Sequence, residues 1–216
     1  MKHFFMRLFM LVAGLAFFSL GIVLTIKANI GYAPWDVFHV GLADTVGLSI
    51  GTVSIAVGIL IGVIIIILGE KIGIGTFFNM VLVGIKIDII FPHVPLAENL
   101  FSGIAVMLLG IFLMAIGSCF YMRSAFGAGP RDSLMVALNR KTRLPVGLCR
   151  FILELSVLII GLLLGGMVGI GTAIFVAGIG LAIQAVFRLF RFDAKSVKHE
   201  TLRDTFMTLK NAMRQR

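Results

Sequence analysis

Three charged residues stand inside long apolar runs: Lys86, Asp88 and Glu154. A charge at the centre of a bilayer costs roughly 2.5–3.5 kcal/mol on insertion scales, so such groups face a protein interior or water. Glu154 lies eight residues beyond Val146, about 12 Å along a helix at 1.5 Å per residue. Arg150 stands one turn before it and can pair with it; Lys86 is the alternative partner across the bundle. A second set of residues comes from a doubled motif, G-x-x-P-x-D, at Gly31-Tyr32-Ala33-Pro34-Trp35-Asp36 and at Gly127-Ala128-Gly129-Pro130-Arg131-Asp132. Proline suits the first turn of a helix, where its missing N–H would be unpaired anyway. An acid two residues later faces the positive end of the helix dipole. Asp36 and Asp132 are therefore read as caps, with contact to a cation as the alternative. Each motif starts a short helix, over Pro34–Thr45 and Pro130–Asn139. These helices either lie at the interface or dip into the membrane. The candidate solute-binding residues are Gly31, Pro34, Asp36, Gly127, Gly129, Pro130, Arg131, Asp132, Lys86, Asp88 and Glu154, joined by Thr76 and Thr172.

Other chemistry is absent from the pattern. His39 follows Asp36 by three residues and shares its helix face, but His3, His39, His93 and His199 form no HExxH and no close pair. No metal or other cofactor is expected. Neither Gly-rich stretch continues into a P-loop. No Ser–His–Asp set stands out, so no catalytic residue is assigned and an enzyme is not expected.

The elements that must position these residues follow from composition. Of 216 residues, 59% are apolar and 13% charged, with a mean hydropathy of +1.09. Soluble domains carry about 25% charged residues. A surplus of this size excludes a soluble enzyme, a DNA-binding domain and a secreted module. A span needs roughly 20 apolar residues, and six runs qualify: Leu8–Ile26, Thr52–Leu68, Ile72–Phe91, Leu100–Met122, Val146–Leu164 and Val168–Phe187. The first is longer than a signal core and no A-x-A site follows, so a retained span is expected. With the N-terminus inside, 17 of the Lys and Arg residues fall on the cytoplasmic side and two, Lys27 and Lys86, outside. The net charge of +9 thus reports orientation rather than nucleic-acid binding, and both termini are expected in the cytoplasm. Cys119 and Cys149 belong to no CxxC pattern and read as small packing residues.

Sliding the chain by 96 positions aligns it with itself without a gap. Residues 11–88 and 107–184 share 18 identities in 78 pairs, eight of them glycine. The matches include the Pro and Asp of the loop motif and a GIGT block at Gly73–Thr76 and Gly169–Thr172. Its glycines permit close helix approach, and its threonines can bond carbonyls of their own helices. Shared composition does not reproduce such a block at one fixed offset. Three spans per half is an odd number, so the halves should enter the membrane from opposite sides as inverted repeats. The expected architecture is all-α: six transmembrane helices in two inverted three-helix repeats, residues 1–98 and 99–190, each with a short re-entrant or interfacial helix. A basic tail follows over residues 191–216. Leu202, Phe206, Leu209 and Met213 recur there at helical spacing, which suits a helix on the anionic inner leaflet or against a partner.

GYAPWDVF, GAGPRDSL and the doubled GIGT resemble the YczE/YitT-like family of bacterial integral membrane proteins, over about residues 5–190. Tyr32, Ala33 and Arg131 depart from that family's motif. The resemblance implies several spans in duplicated halves and a bacterial plasma membrane; it brings no reaction, substrate or site residue. The leading functional expectation is a small secondary carrier or facilitator for a small solute, with the lipid bilayer and the identical subunits of a homo-oligomer as its other expected contacts. The alternative is an accessory protein that binds a partner through its basic loop or tail.

Overall fold

The computed structural model describes residues 2–193, 197 and 200. Among them lie eight α-helices: α1 (Lys2–Lys27), α2 (Pro34–Val46), α3 (Ile50–Ile67), α4 (Ile74–Ile90), α5 (Leu100–Arg123), α6 (Pro130–Thr142), α7 (Val146–Leu163) and α8 (Ile170–Leu189). Six of them, α1, α3, α4, α5, α7 and α8, are long and apolar enough to cross a membrane. At 1.5 Å per residue the 18 residues of α3 extend about 27 Å, near the thickness of a hydrocarbon core. The expected tail helix lies outside the described residues.

Polar caps mark where two spans begin. Ser49 accepts the Thr52 N–H at 3.1 Å at the start of α3. Asn99 and Ser102 bond each other's backbone N–H groups at the start of α5. The short helices begin differently. Pro34 and Pro130 open α2 and α6, and neither helix has a side-chain cap. The N-cap residues are Ala33 and Gly129, while Asp36 and Asp132 stand in the first turns, at the positive end of each helix dipole as expected. Both carboxylates turn to other partners: Asp36 to His39, Asp132 to Tyr121.

The 96-residue offset recurs in the helix boundaries. α2 and α6 match at both ends, as do α3 and α7, while α4 and α8 share their starting position. Contacts recur as well. α1 crosses α5 with Gly14 on Gly117 and Gly21 on Gly110; a Cβ at Gly14 would lie 2.9 Å from the Gly117 carbonyl, and one at Gly110 2.9 Å from that of Gly21. Each GIGT block grips the Pro loop of the other half. Gly75 N–H donates to the Phe126 carbonyl at 2.8 Å, and its counterpart Gly171 N–H donates to Ile30 at 2.7 Å. Gly31 and Gly127 sit at these grips with φ of +113° and +134°, where a side chain would be strained and would also strike Gly169 or Thr76. The threonines serve the grips and not their own helical carbonyls. Thr76 Oγ1 donates to the Ala128 carbonyl at 2.6 Å, and Thr172 Oγ1 accepts the Gly169 N–H at 3.2 Å.

One pair of equivalent interfaces differs. α3 lies along α4, and a Cβ at Gly84 would come within 2.5 Å of the Gly51 carbonyl. The counterparts α7 and α8 do not pack in this way, and a Cβ at Gly147 or Gly180 would meet nothing within 4 Å.

Candidate functional site

The helices enclose a cavity of about 290 Å³, to which all eight contribute side chains. Its walls are largely apolar: Phe18 from α1, Val57 and Ile61 from α3, Met80 and Val83 from α4, Met114 from α5, and Phe175, Ile179 and Ile183 from α8. Polar groups gather where the two short helices begin. Trp35 and His39 come from α2; Gly129, Pro130, Arg131 and Asp132 from the start of α6; Tyr121 and Ser118 from α5; Asn79 from α4; Arg150 and Glu154 from α7.

Most of these charges are already engaged. Arg150 Nε donates to Glu154 Oε1 at 2.8 Å. Tyr121 Oη donates to Asp132 Oδ2 at 3.1 Å. Arg131 is the exception. Its guanidinium carbon lies 4.5 Å from the centre of the Trp35 ring. No hydrogen bond or ion pair reaches it among the described residues. Stacking on an indole face leaves the guanidinium's in-plane N–H fork open, and that fork matches a carboxylate or phosphate.

Behind Arg131 sits a buried acid–imidazole pair. Asp36 and His39 are 2% and 3% exposed, and Asp36 Oδ1 stands 4.0 Å from His39 Nδ1. Asp36 Oδ2 and His39 Nε2 have no hydrogen-bond partner among the described residues. Burial raises the Asp36 carboxyl to about 6, against the pull of Arg131 toward the charged form. Burial first, and then Arg131, lower the imidazole well below its ordinary value. His39 is thus neutral near pH 7, and Asp36 titrates not far below it.

The sequence-derived candidates divide into three groups. Gly129, Pro130, Arg131, Asp132 and Glu154 line the cavity. Gly31, Gly127, Thr76 and Thr172 build the grips that hold the short helices, with Pro34 and Asp36 buried at the start of α2. Lys86 and Asp88 stand apart from the cavity. Lys86 Nζ donates to the Val12 carbonyl at 3.0 Å. Asp88 accepts from Ser49 Oγ at 2.6 Å and from Gly51 N–H at 2.8 Å, so it secures the start of α3. Glu154 pairs with Arg150 and not with Lys86. Trp35, Tyr121 and Asn79 are cavity residues that sequence reasoning missed. The signal for Trp35 was present, because it is the 96-offset counterpart of Arg131. No group of three or more His, Cys, Asp or Glu residues is placed to hold a metal among the described residues.

Comparison with known proteins places the chain among membrane proteins without assigned activity. A family model described as a family of unknown function (DUF6198) matches residues 5–188. An uncharacterized protein of Haemophilus influenzae is 32% identical over 174 residues, covering 81% of this chain and 80% of its own. The uncharacterized membrane protein YczE of Bacillus subtilis is 35% identical over 174 residues, covering 80% and 81%. YyaS of the same organism, also uncharacterized, is 26% identical over 178 residues, covering 79% and 87%. No solved structure matches.

Proposed function

We propose that this chain, which belongs to the DUF6198 family of membrane proteins, is a small secondary carrier or facilitator for a small solute. The observation that carries this reading is the unequal state of two equivalent interfaces around one cavity. Gly51 on Gly84 holds α3 against α4, whereas Gly147 and Gly180 leave α7 and α8 apart. A duplicated bundle closed along one interface and parted along its counterpart has a ready alternative, in which the two exchange roles. Exchange of that kind around a fixed central site is how repeat-built transporters alternate access. The glycine crossing of α1 on α5 is common to both arrangements and supplies the axis.

The short helices fit the same scheme. Three spans separate α2 from α6, so in a six-span chain they enter from opposite faces. Trp35 at the start of one touches Arg131 at the start of the other. Helices resting on opposite surfaces, about 30 Å apart, could not meet through two side chains. The re-entrant reading is therefore the one we adopt, with the halves inverted. The Lys and Arg distribution supports a reading with both termini in the cytoplasm, and the bacterial relatives support a plasma membrane; the parted α7–α8 interface then opens the cavity inward.

A thiol cross-linking test addresses the exchange. Cys119 and Cys149 are buried and free, so a chain with both replaced by Ala is the background. In it, G147C and G180C should be joined by a short bifunctional thiol reagent in membranes, and joining them should stop solute exchange in proteoliposomes. Failure to join, or joining with exchange unimpaired, would remove the carrier reading.

A further inference from the structure

We propose that the cavity takes a small carboxylate with an apolar remainder, its carboxylate seated on the Arg131 fork between the starts of α2 and α6. The inference rests on the carrier reading for its biological sense but on separate observations for its chemistry.

Arg131 carries five N–H donors and no acceptor. Three carboxylates near it could have consumed that capacity. Asp36 stands beside His39, at 4.0 Å; Asp132 is held by Tyr121, at 3.1 Å, and Glu154 by Arg150, at 2.8 Å. None is within ion-pairing distance of Arg131. The lining charges of Arg131, Arg150, Asp132 and Glu154 balance, so the arriving anion meets no net negative wall. What remains uncommitted is one guanidinium fork, placed over the Trp35 ring.

Two further features point the same way. The backbone N–H groups at a helix start, together with the helix dipole, favour negative charge. Here the start of α6 lines the cavity and the side chains at positions 35 and 131 bring the start of α2 beside it. An independent sign of a missing partner is His39, which lines the same cavity, is 3% exposed, and has Nε2 without a hydrogen bond. A buried polar atom left unmade is costly; in the tautomer with its proton on Nε2 the imidazole donates there to a ligand oxygen. Away from the polar groups already named, the walls are Phe, Met, Ile and Val, which cannot solvate a second ionic group. A free inorganic ion would leave those walls unfilled. A planar carboxylate on an aromatic or branched aliphatic body fills both parts.

The test is calorimetric titration of the purified full-length protein in detergent with benzoate, benzylamine, benzyl alcohol and inorganic phosphate. Benzoate should bind most tightly. R131Q should weaken it by roughly thirtyfold or more, the equivalent of about 2 kcal/mol lost when one partner of a buried charge pair is removed. R131K keeps the charge without the fork and should fall between the two. Thermal unfolding of each variant separates lost binding from lost folding. Binding of benzylamine or phosphate as tight as benzoate, no binding by any of the four, or benzoate binding unchanged in well-folded R131Q would each overturn the proposal. Benzoate binding without proteoliposome exchange would keep the site and remove the carrier. Exchange of a cation unaffected by R131Q would keep the carrier and remove the site.

Discussion

Trp35 and Arg131 hold equivalent positions in the two halves, 96 residues apart, and they touch, with the guanidinium carbon 4.5 Å from the indole centre. In the inverted arrangement proposed above, equivalent residues meet only near the axis that relates the halves. The glycine contacts of α1 and α5 form an exchanged pair, because the 96-residue offset turns Gly14 on Gly117 into Gly110 on Gly21. The cavity draws on matched positions of both halves. Phe18 and Met114 both line it, as do Val57 and Leu153, and Val83 and Ile179, each pair 96 residues apart. Chemistry has diverged within such pairs. Ser54 and Gly58 correspond to Arg150 and Glu154, so the ion pair belongs to one half alone.

Trp35 is the chain's single tryptophan, which makes the site its own reporter. Intrinsic emission should shift in R131Q, since the cation over the ring is gone, and should respond to benzoate in the native protein. Emission spectra that are identical in native protein and R131Q would mean that the stack does not form in solution.

Gly127→Ala should destabilise the protein by about 1–3 kcal/mol, the usual cost of a strained backbone position. At φ +134° the new methyl would be strained and would lie 2.7 Å from Thr76 Oγ1. Gly31→Ala should do the same against Gly169. Gly147→Ala and Gly180→Ala, with open space around them, should cost far less. Thermal unfolding in detergent ranks the four; equal losses at all of them would contradict the grip.

Much of the fold was legible because duplication repeats local rules. Proline at a helix start, glycine at a reversal and about 20 apolar residues per span are properties of a short stretch. The matching bounds of α2 and α6, and of α3 and α7, follow from them. Pairings between helices were not legible. Lys86 and Asp88 look alike in sequence, two ionisable groups in one apolar run, yet one bonds the Val12 carbonyl and the other secures the start of α3. Which helix lies opposite is a tertiary matter that hydropathy does not encode. Tyr121 was invisible for the same reason, because its partner Asp132 lies beyond a chain reversal.

Glu154→Gln should fold with little loss of stability. The pair with Arg150 is partly exposed, and pairs of that kind contribute about 0–1 kcal/mol. Its effect should appear in binding. Losing a carboxylate beside Arg131 and freeing Arg150 both favour an anion, so benzoate should bind more tightly. Calorimetry on the variant checks this, and weaker binding would show that Glu154 contacts the solute directly.

Acidification should strengthen anion binding, with a midpoint near pH 6. The groups around Asp36 decide the sign. Arg131 and His39 face it, and Asp132, Glu154 and Tyr121 surround Arg131. Burial holds the Asp36 carboxyl at about 6. His39, lowered well below its ordinary value, stays neutral through that window. Above pH 6 Asp36 is a carboxylate and offsets the charge of Arg131; below it the acid is neutral and Arg131 is free to hold a second anion. An anion on Arg131 in turn raises the Asp36 carboxyl further, so binding should take up a proton between about pH 6 and 7. The folded state follows the same sign. A carboxyl raised from 3.8 to about 6 binds its proton more tightly folded than unfolded, so its ionisation costs stability as pH rises through that range. Asp36→Asn fixes the neutral form. The variant should bind benzoate at pH 8 about as well as the native protein does at pH 5, lose the pH dependence, and unfold at a higher temperature at pH 8. Benzoate affinity that falls on acidification in the native protein, or a slope that survives in Asp36→Asn, would assign the titration to another group.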